Sequence, residues 1–190
     1  MKTKFVLAAV LVLFTTSTSA QDISASVTTQ KWKAGWDNLS EPLNFTKSNI
    51  QWSVNSTSRR LTVTFNLVGT TPGKLYQVAL NFFCTTFPAT FGQFPNDTPG
   101  GGACASLTRQ GVTATVAEFE IGVVTTDIHG NGSYSVVIGP VAAGTYELEF
   151  FARNGAGCLL INGGPCDANH AEADFQSPGP FGKSTKITVP

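Results

Sequence analysis

Charge is what this sequence has least of. Only 13% of its residues are Asp, Glu, Lys or Arg, and the two signs balance at 12 each. With no basic excess there is nothing to draw in a phosphate backbone, so no nucleic acid partner is expected. Sparse charge beside 42% hydrophobic residues also excludes a disordered tail or a coiled coil. Histidine is nearly absent, with only His129 and His170, and no Gly-x-Ser-x-Gly elbow, phosphate loop or dinucleotide fingerprint occurs. A Ser-His-Asp arrangement needs a histidine beside its nucleophile, and His129 falls in a predicted hairpin turn. The chain is therefore expected to be no enzyme and to need no cofactor. Helical periodicity is missing too: no segment keeps apolar residues at i, i+3, i+4 and i+7 between two caps.

The apolar run is confined to the N-terminus. Lys2 and Lys4 precede an apolar stretch over residues 5–14, and small residues lead up to Ala20. A bilayer span needs about 20 apolar residues. The shorter run, with Thr18 and Ala20 at the small-residue positions, reads as a secretory signal peptide cut after Ala20. The expected organisation is a signal over 1–20 and one domain over 21–190. Cleavage takes Lys2 and Lys4 and leaves 10 basic and 12 acidic residues, a formal net charge of −2. The protein is expected outside the cytoplasm, as a secreted, periplasmic or cell-surface protein with no transmembrane helix after cleavage.

All four cysteines, Cys84, Cys104, Cys158 and Cys166, follow the signal. An even count in an exported chain suggests two disulfides. Three pairings are possible. Cys84–Cys104 and Cys158–Cys166 are favoured, because each pair brackets a Gly/Pro-rich segment. Zinc is the weaker reading, since there is no Cys-x2-Cys pair and the histidines lack finger spacing.

Period-two alternation runs along the body. Ile50, Trp52 and Val54 form one set. Leu61, Val63, Phe65 and Leu67 form the next, and Tyr76, Val78, Leu80 and Phe82 follow. Tyr134, Val136 and Ile138, then Tyr146, Leu148 and Phe150, then Ile187 and Val189 complete the pattern. Such alternation puts apolar side chains on one strand face. A first strand is expected at 23–29. Thr71-Pro72-Gly73, His129-Gly130-Asn131-Gly132 and Ala142-Ala143-Gly144 supply the turns. The prediction is an all-β, antiparallel, immunoglobulin-like β-sandwich of eight or nine strands. A small closed barrel is second. Residues 86–103 and 154–180 are predicted to be long loops stapled by the disulfides. These loops are expected to meet a partner.

The segment Val124-Thr125-Thr126-Asp127-Ile128-His129-Gly130-Asn131-Gly132-Ser133-Tyr134, continued by Gly144-Thr145-Tyr146-Glu147-Leu148, resembles the hairpins of prealbumin-like and collagen-adhesin B-type repeat domains. Those are immunoglobulin-like sandwiches of secreted and surface proteins. The resemblance spans about residues 121–148 and implies an exported, non-enzymatic stalk or adhesion-type module. The disulfides depart from that pattern, and no internal isopeptide triad is assigned. The fold alone carries over.

Several constellations compete with plainer readings. Asp127-x-His129-x-Asn131-Gly132 looks like the start of a calcium loop, but the twelfth position is Ile138, which cannot bind the ion. A hairpin turn explains it better. Glu118 with Glu120, and Glu147 with Glu149, share strand faces and read as solvated outward residues. His170, Glu172 and Asp174 would share a face if extended and could hold a divalent ion; a polar face alternating with Ala171 and Ala173 explains them as well. Trp32 and Trp36 could stack on a sugar ring, whereas Trp52 shares its face with core residues. Phe87, Phe91 and Phe94 either close an end of the sandwich or offer an apolar patch to a partner. Asn38, Asn44, Asn55, Asn96 and Asn131 open N-glycosylation sequons, from which no glycan is claimed. The favoured function is an extracellular binding, adhesion or structural module with an unknown protein or glycan partner. A carbohydrate-binding module using Trp32 and Trp36, and a metal-binding protein centred on His170, are the alternatives.

Overall fold

The computed structural model describes residues 26–35, 41–84, 105–109, 111–154, 175–178 and 185–190. These hold eleven strands and no α-helix: β1 (Thr28–Lys31), β2 (Lys33–Ala34), β3 (Asn49–Val54), β4 (Leu61–Leu67), β5 (Leu75–Phe83), β6 (Ala105–Arg109), β7 (Val112–Thr125), β8 (Gly132–Ile138), β9 (Gly144–Asn154), β10 (Phe175–Gln176) and β11 (Thr185–Val189). They form a four-stranded sheet in the order β1-β3-β4-β8 and a seven-stranded sheet in the order β2-β10-β9-β5-β7-β6. β11 joins β9 on the same edge as β10, so the two short strands lie end to end. Every pairing is antiparallel.

The alternating sets become β3, β4, β5, β8, β9 and β11, with the predicted side chains inward. Leu61, Val63, Phe65 and Leu67 on one sheet meet Leu80, Phe82, Leu148 and Phe150 on the other in one core. Aromatic rings join the layers: Phe150 lies 5.8 Å from Phe65 and 5.5 Å from Trp52. Within the larger sheet Phe82 lies 5.8 Å from Tyr146. Each fully buried large apolar side chain contributes about 1.5–3 kcal/mol.

Eleven described strands replace the eight or nine expected. The additions include the two-residue strands β2 and β10, too short for a period to show. The first described strand begins at Thr28 rather than at residue 23; residues 21–25 lie outside the described set. β10 falls inside the stretch expected to be one loop over 154–180, and β9 runs through Asn154. Residues 155–174 and 179–180 of that stretch, and all of 86–103, lie outside the described residues, as does the expected signal over 1–20. Cys84 packs, half-buried, against the core. Cys104, Cys158 and Cys166 are outside the described set, so both pairings remain expectations.

Two features tie the layers at their edges. Between β1 and β2 the chain passes from the smaller sheet to the larger. Trp32 fills the crossing: it is 3% exposed, lies 6.1 Å from Phe65, and donates Nε1–H to the Asn66 carbonyl at 3.1 Å. At the other side Tyr134 of β8 reaches to β7 and donates to the Ile121 carbonyl at 3.2 Å. Ile121 is the extra residue of a bulge, since Val78 faces Gly122 and Ala79 faces Glu120. The neighbouring Gly122 leaves the space that the Tyr134 ring occupies.

Candidate functional site

The outer faces of the two sheets differ in kind. Across the middle of the larger sheet that face is buried, while Lys186 and Thr188 of β11 remain exposed. Gln77, Ala79 and Asn81 of β5, Glu149, Phe151 and Arg153 of β9 and Gln176 of β10 are each 1% exposed or less. Several of their polar groups are paired with one another. Arg153 Nε donates to Gln77 Oε1 at 3.0 Å, and its guanidinium lies 5.1 Å from the Phe151 ring centre. Asn81 Nδ2 donates to Glu149 Oε2 at 3.0 Å. With its amide oriented to suit both neighbours, Gln176 donates to Glu149 Oε1 at 3.3 Å and accepts from Lys33 Nζ at 2.8 Å. Glu149 is therefore no solvated outward residue: it is the acceptor at the centre of a buried row. The signal lay in the doubled aromatics Phe82-Phe83 and Phe150-Phe151, which put apolar bulk on both faces of adjacent strands.

On the smaller sheet the outer face is open. Register sets three rows across β3, β4 and β8: Asn49–Asn66–Ser133, Gln51–Thr64–Ser135 and Ser53–Thr62–Val137. Hydrogen bonds run along the first two. Asn66 Nδ2 donates to Asn49 Oδ1 at 3.0 Å, and Ser133 Oγ donates to Asn66 Oδ1 at 2.9 Å. Thr64 Oγ1 and Ser135 Oγ lie 2.9 Å apart. These nine side chains are hydroxyls, amides and one valine. The only outward charge that β1 adds is Lys31, beside Asn49.

The third row opens into a cavity of about 540 Å3. The β3–β4 hairpin tip forms one wall with Asn55, Thr57, Ser58 and Arg60; Thr62 is the floor; Val137 and Pro140 form the other wall. A second cavity of about 100 Å3 lies across Thr62, against Gln51, Ser53 and Val27. The tip is internally fixed. Asn55 Oδ1 accepts from the N–H groups of Thr57 at 3.0 Å and Ser58 at 2.7 Å. Asn55 N–H donates to the Arg60 carbonyl at 2.9 Å, and Val141 N–H to the Arg59 carbonyl at 2.8 Å. Arg59 holds a φ of 53°, a left-handed conformation costing an L-residue roughly 1–2 kcal/mol.

The residues singled out by sequence are distributed differently. Trp32 is a core residue, so the expected exposed stacking surface at Trp32 is not there. Trp36, Phe87, Phe91, Phe94, His170, Glu172 and Asp174 lie outside the described residues. His129 sits exposed in the β7–β8 turn. Asp127 Oδ1 accepts there from the N–H groups of Asn131 at 2.9 Å and His129 at 2.8 Å, and these two bonds hold its carboxyl below the usual carboxylate value. The hairpin reading of that motif stands. Among the described residues no cluster of three His, Cys, Asp or Glu side chains could hold a metal.

A further polar cluster is a tether. Glu41 pairs with Lys74 and accepts from Tyr76 Oη at 2.8 Å and Thr71 Oγ1 at 2.9 Å. Burial pushes the Glu41 carboxyl up, but the hydrogen bonds from Lys74, Tyr76 and Thr71, with the Lys74 charge, outweigh it and leave the group below its ordinary value of 4.5. Tyr76 is pushed up to about 12, first by burial and then by its bond to Glu41. Folded Glu41 binds its proton less readily than unfolded Glu41, so its contribution is present above the unfolded value and lost as pH falls. Folded Tyr76 keeps its proton longer, so its contribution is present below 10 and lost as pH rises towards about 12. Melting temperature should therefore fall on both flanks. In Glu41→Gln the acid flank should flatten, and the alkaline flank should still begin near 10 but be shallower and end sooner, as read by circular dichroism melts across pH 3–12.

The fold defines an all-β class of antiparallel, two-sheet proteins. No protein-family model matches the chain, and no curated protein matches it. Among solved structures, a chain from work on pH-induced modulation of Streptococcus parasanguinis adhesion by Fap1 fimbriae aligns with 87% of this chain and 96% of its own length. The two are 10% identical with a TM-score of 0.33. A likeness of that size carries no argument about function.

Proposed function

We propose that the chain is exported after removal of residues 1–20 and acts as a non-catalytic binding module of the immunoglobulin-like kind, through the outer face of its four-stranded sheet. One observation carries this reading: the middle of the larger sheet, across β5, the later half of β9 and β10, is buried on both faces, while the smaller sheet displays ordered rows of uncharged polar side chains beside a cavity. A face serving solubility alone is ordinarily rich in mixed charge. Here the hydroxyls and amides are held against one another, so little side-chain freedom is lost when a ligand docks. Disulfides Cys84–Cys104 and Cys158–Cys166, the pairings we favour, belong to this reading and suit an oxidising compartment. The loops over 86–103 and 154–180 are secondary contributors in this reading.

The test is solid-phase binding of the exported chain to a panel of extracellular glycans and matrix proteins, with Thr64→Glu alongside. Thr64 lies in the middle row, so a carboxylate there should weaken retention about tenfold, or ~1.4 kcal/mol, at unchanged melting temperature. Retention indifferent to Thr64→Glu would overturn the assignment of the face, and retention by no member of the panel would overturn the binding role.

A further inference from the structure

The cavity beside the third row has a composition that narrows its ligand. Pairing of Leu61 with Val54 on one side and Ile138 on the other brings the hairpin tip against the β8–β9 connection. Residues some 80 positions apart thus share one concavity. Its volume, about 540 Å3, lies within the range of small-ligand sites.

Three kinds of group meet there. Arg60 supplies a guanidinium for which no hydrogen bond or ion pair is found among the described residues, and the described lining contains no carboxylate. Thr57, Ser58 and Thr62 supply hydroxyls, each able to donate and accept. Val137, 56% exposed, and Pro140 supply an apolar wall.

We infer that this cavity binds an anionic sugar, a ring bearing a carboxylate or a sulfate, at the end or along the chain of an extracellular glycan. The three features correspond to the three chemistries of such a ring. The guanidinium fork matches a carboxylate or sulfate in two parallel hydrogen bonds. The hydroxyls serve the ring hydroxyls, and Val137 with Pro140 faces the C–H side of the ring. A polyphosphate or nucleic acid needs a run of cations, which this wall lacks. A neutral sugar would offer the guanidinium only uncharged acceptors, which bind it more weakly than an anion does. The inference rests on the binding role proposed above and assigns its ligand class.

The test uses the exported full chain in titrations with sialyllactose, a glucuronic acid disaccharide, 6-sulfogalactose and uncharged lactose. At least one charged sugar should bind ten times more tightly than lactose or better. Preference for the first two marks a carboxylate site and preference for the third a sulfate site; either supports the inference. Arg60→Gln should bring the charged sugars to the level of lactose at unchanged melting temperature, and Arg60→Lys should restore part of the difference. Equal affinity for charged and uncharged sugars, or charged-sugar binding indifferent to Arg60→Gln, would overturn it. If retention on the wider panel still responds to Thr64→Glu in that case, the binding module stands and only the ligand class falls. If that response is also missing, both fall.

Discussion

Replacing Glu149 by alanine should cost about 3–5 kcal/mol of folding stability, far beyond an ordinary outward-facing glutamate in a strand. Both carboxylate oxygens are engaged at zero exposure, one by Asn81 and one by Gln176, which also holds Lys33. Truncation strands two buried amides, each worth about 1–3 kcal/mol when left unmatched, and leaves Lys33 without the acceptor that orients its neighbour. Glu149→Gln keeps the shape and one acceptor, so it should cost roughly half as much. Ser135→Ala, on the open face of the other sheet, should stay within about 0.5 kcal/mol. Urea denaturation at constant slope separates the three. A Glu149→Ala loss no larger than that of Ser135→Ala would mean that the row contributes nothing to holding the sheet.

The second large effect concerns the corner where β4 turns towards β5. Thr70 donates from its N–H at 2.9 Å and from its hydroxyl at 2.8 Å to the carbonyl of Gly130, clamping that corner onto the β7–β8 turn. Gly130 has a φ of 72°, and a Cβ there would collide with the Thr70 carbonyl oxygen and lie 2.8 Å from its carbonyl carbon. Both colliding atoms are backbone, so neither can swing away. Gly130→Ala should therefore add the opening of this clamp to the left-handed penalty and cost more than about 3 kcal/mol. Gly73 provides the comparison: its φ is 66°, but a Cβ would meet nothing within 4 Å. Gly73→Ala should cost only the conformational part, about 1–2 kcal/mol. Equal losses in the two variants would show that crowding at Thr70 is immaterial.

Much of the scaffold was legible in the sequence because its inner faces alternate strictly. Leu61 to Leu67 is buried at every second residue and nowhere between, and period two finds such a strand without help. The reading failed where a face obeys a rule that crosses strands. Glu149 looks like any polar partner of Leu148; only the pairing of Phe151 with Ala79 and of Glu149 with Asn81 shows that the face is buried. Trp32 was misplaced for a related reason. Its neighbours are charged and small, yet the chain changes sheets there and the ring plugs the crossing. The cavity was invisible because Arg60 and Pro140 come together only through the pairing of β4 with β8. No local pattern encodes a meeting of that kind.

The crossing at Trp32 has a mechanical consequence. The two short strands on either side of that tryptophan belong to different layers, β1 along β3 and β2 along β10. Tension applied at the amino end would first shear β1, then meet the buried indole as a bolt before it could peel β2 away. A module hung from a surface by that end would share the load between both layers in sequence, and would yield in steps.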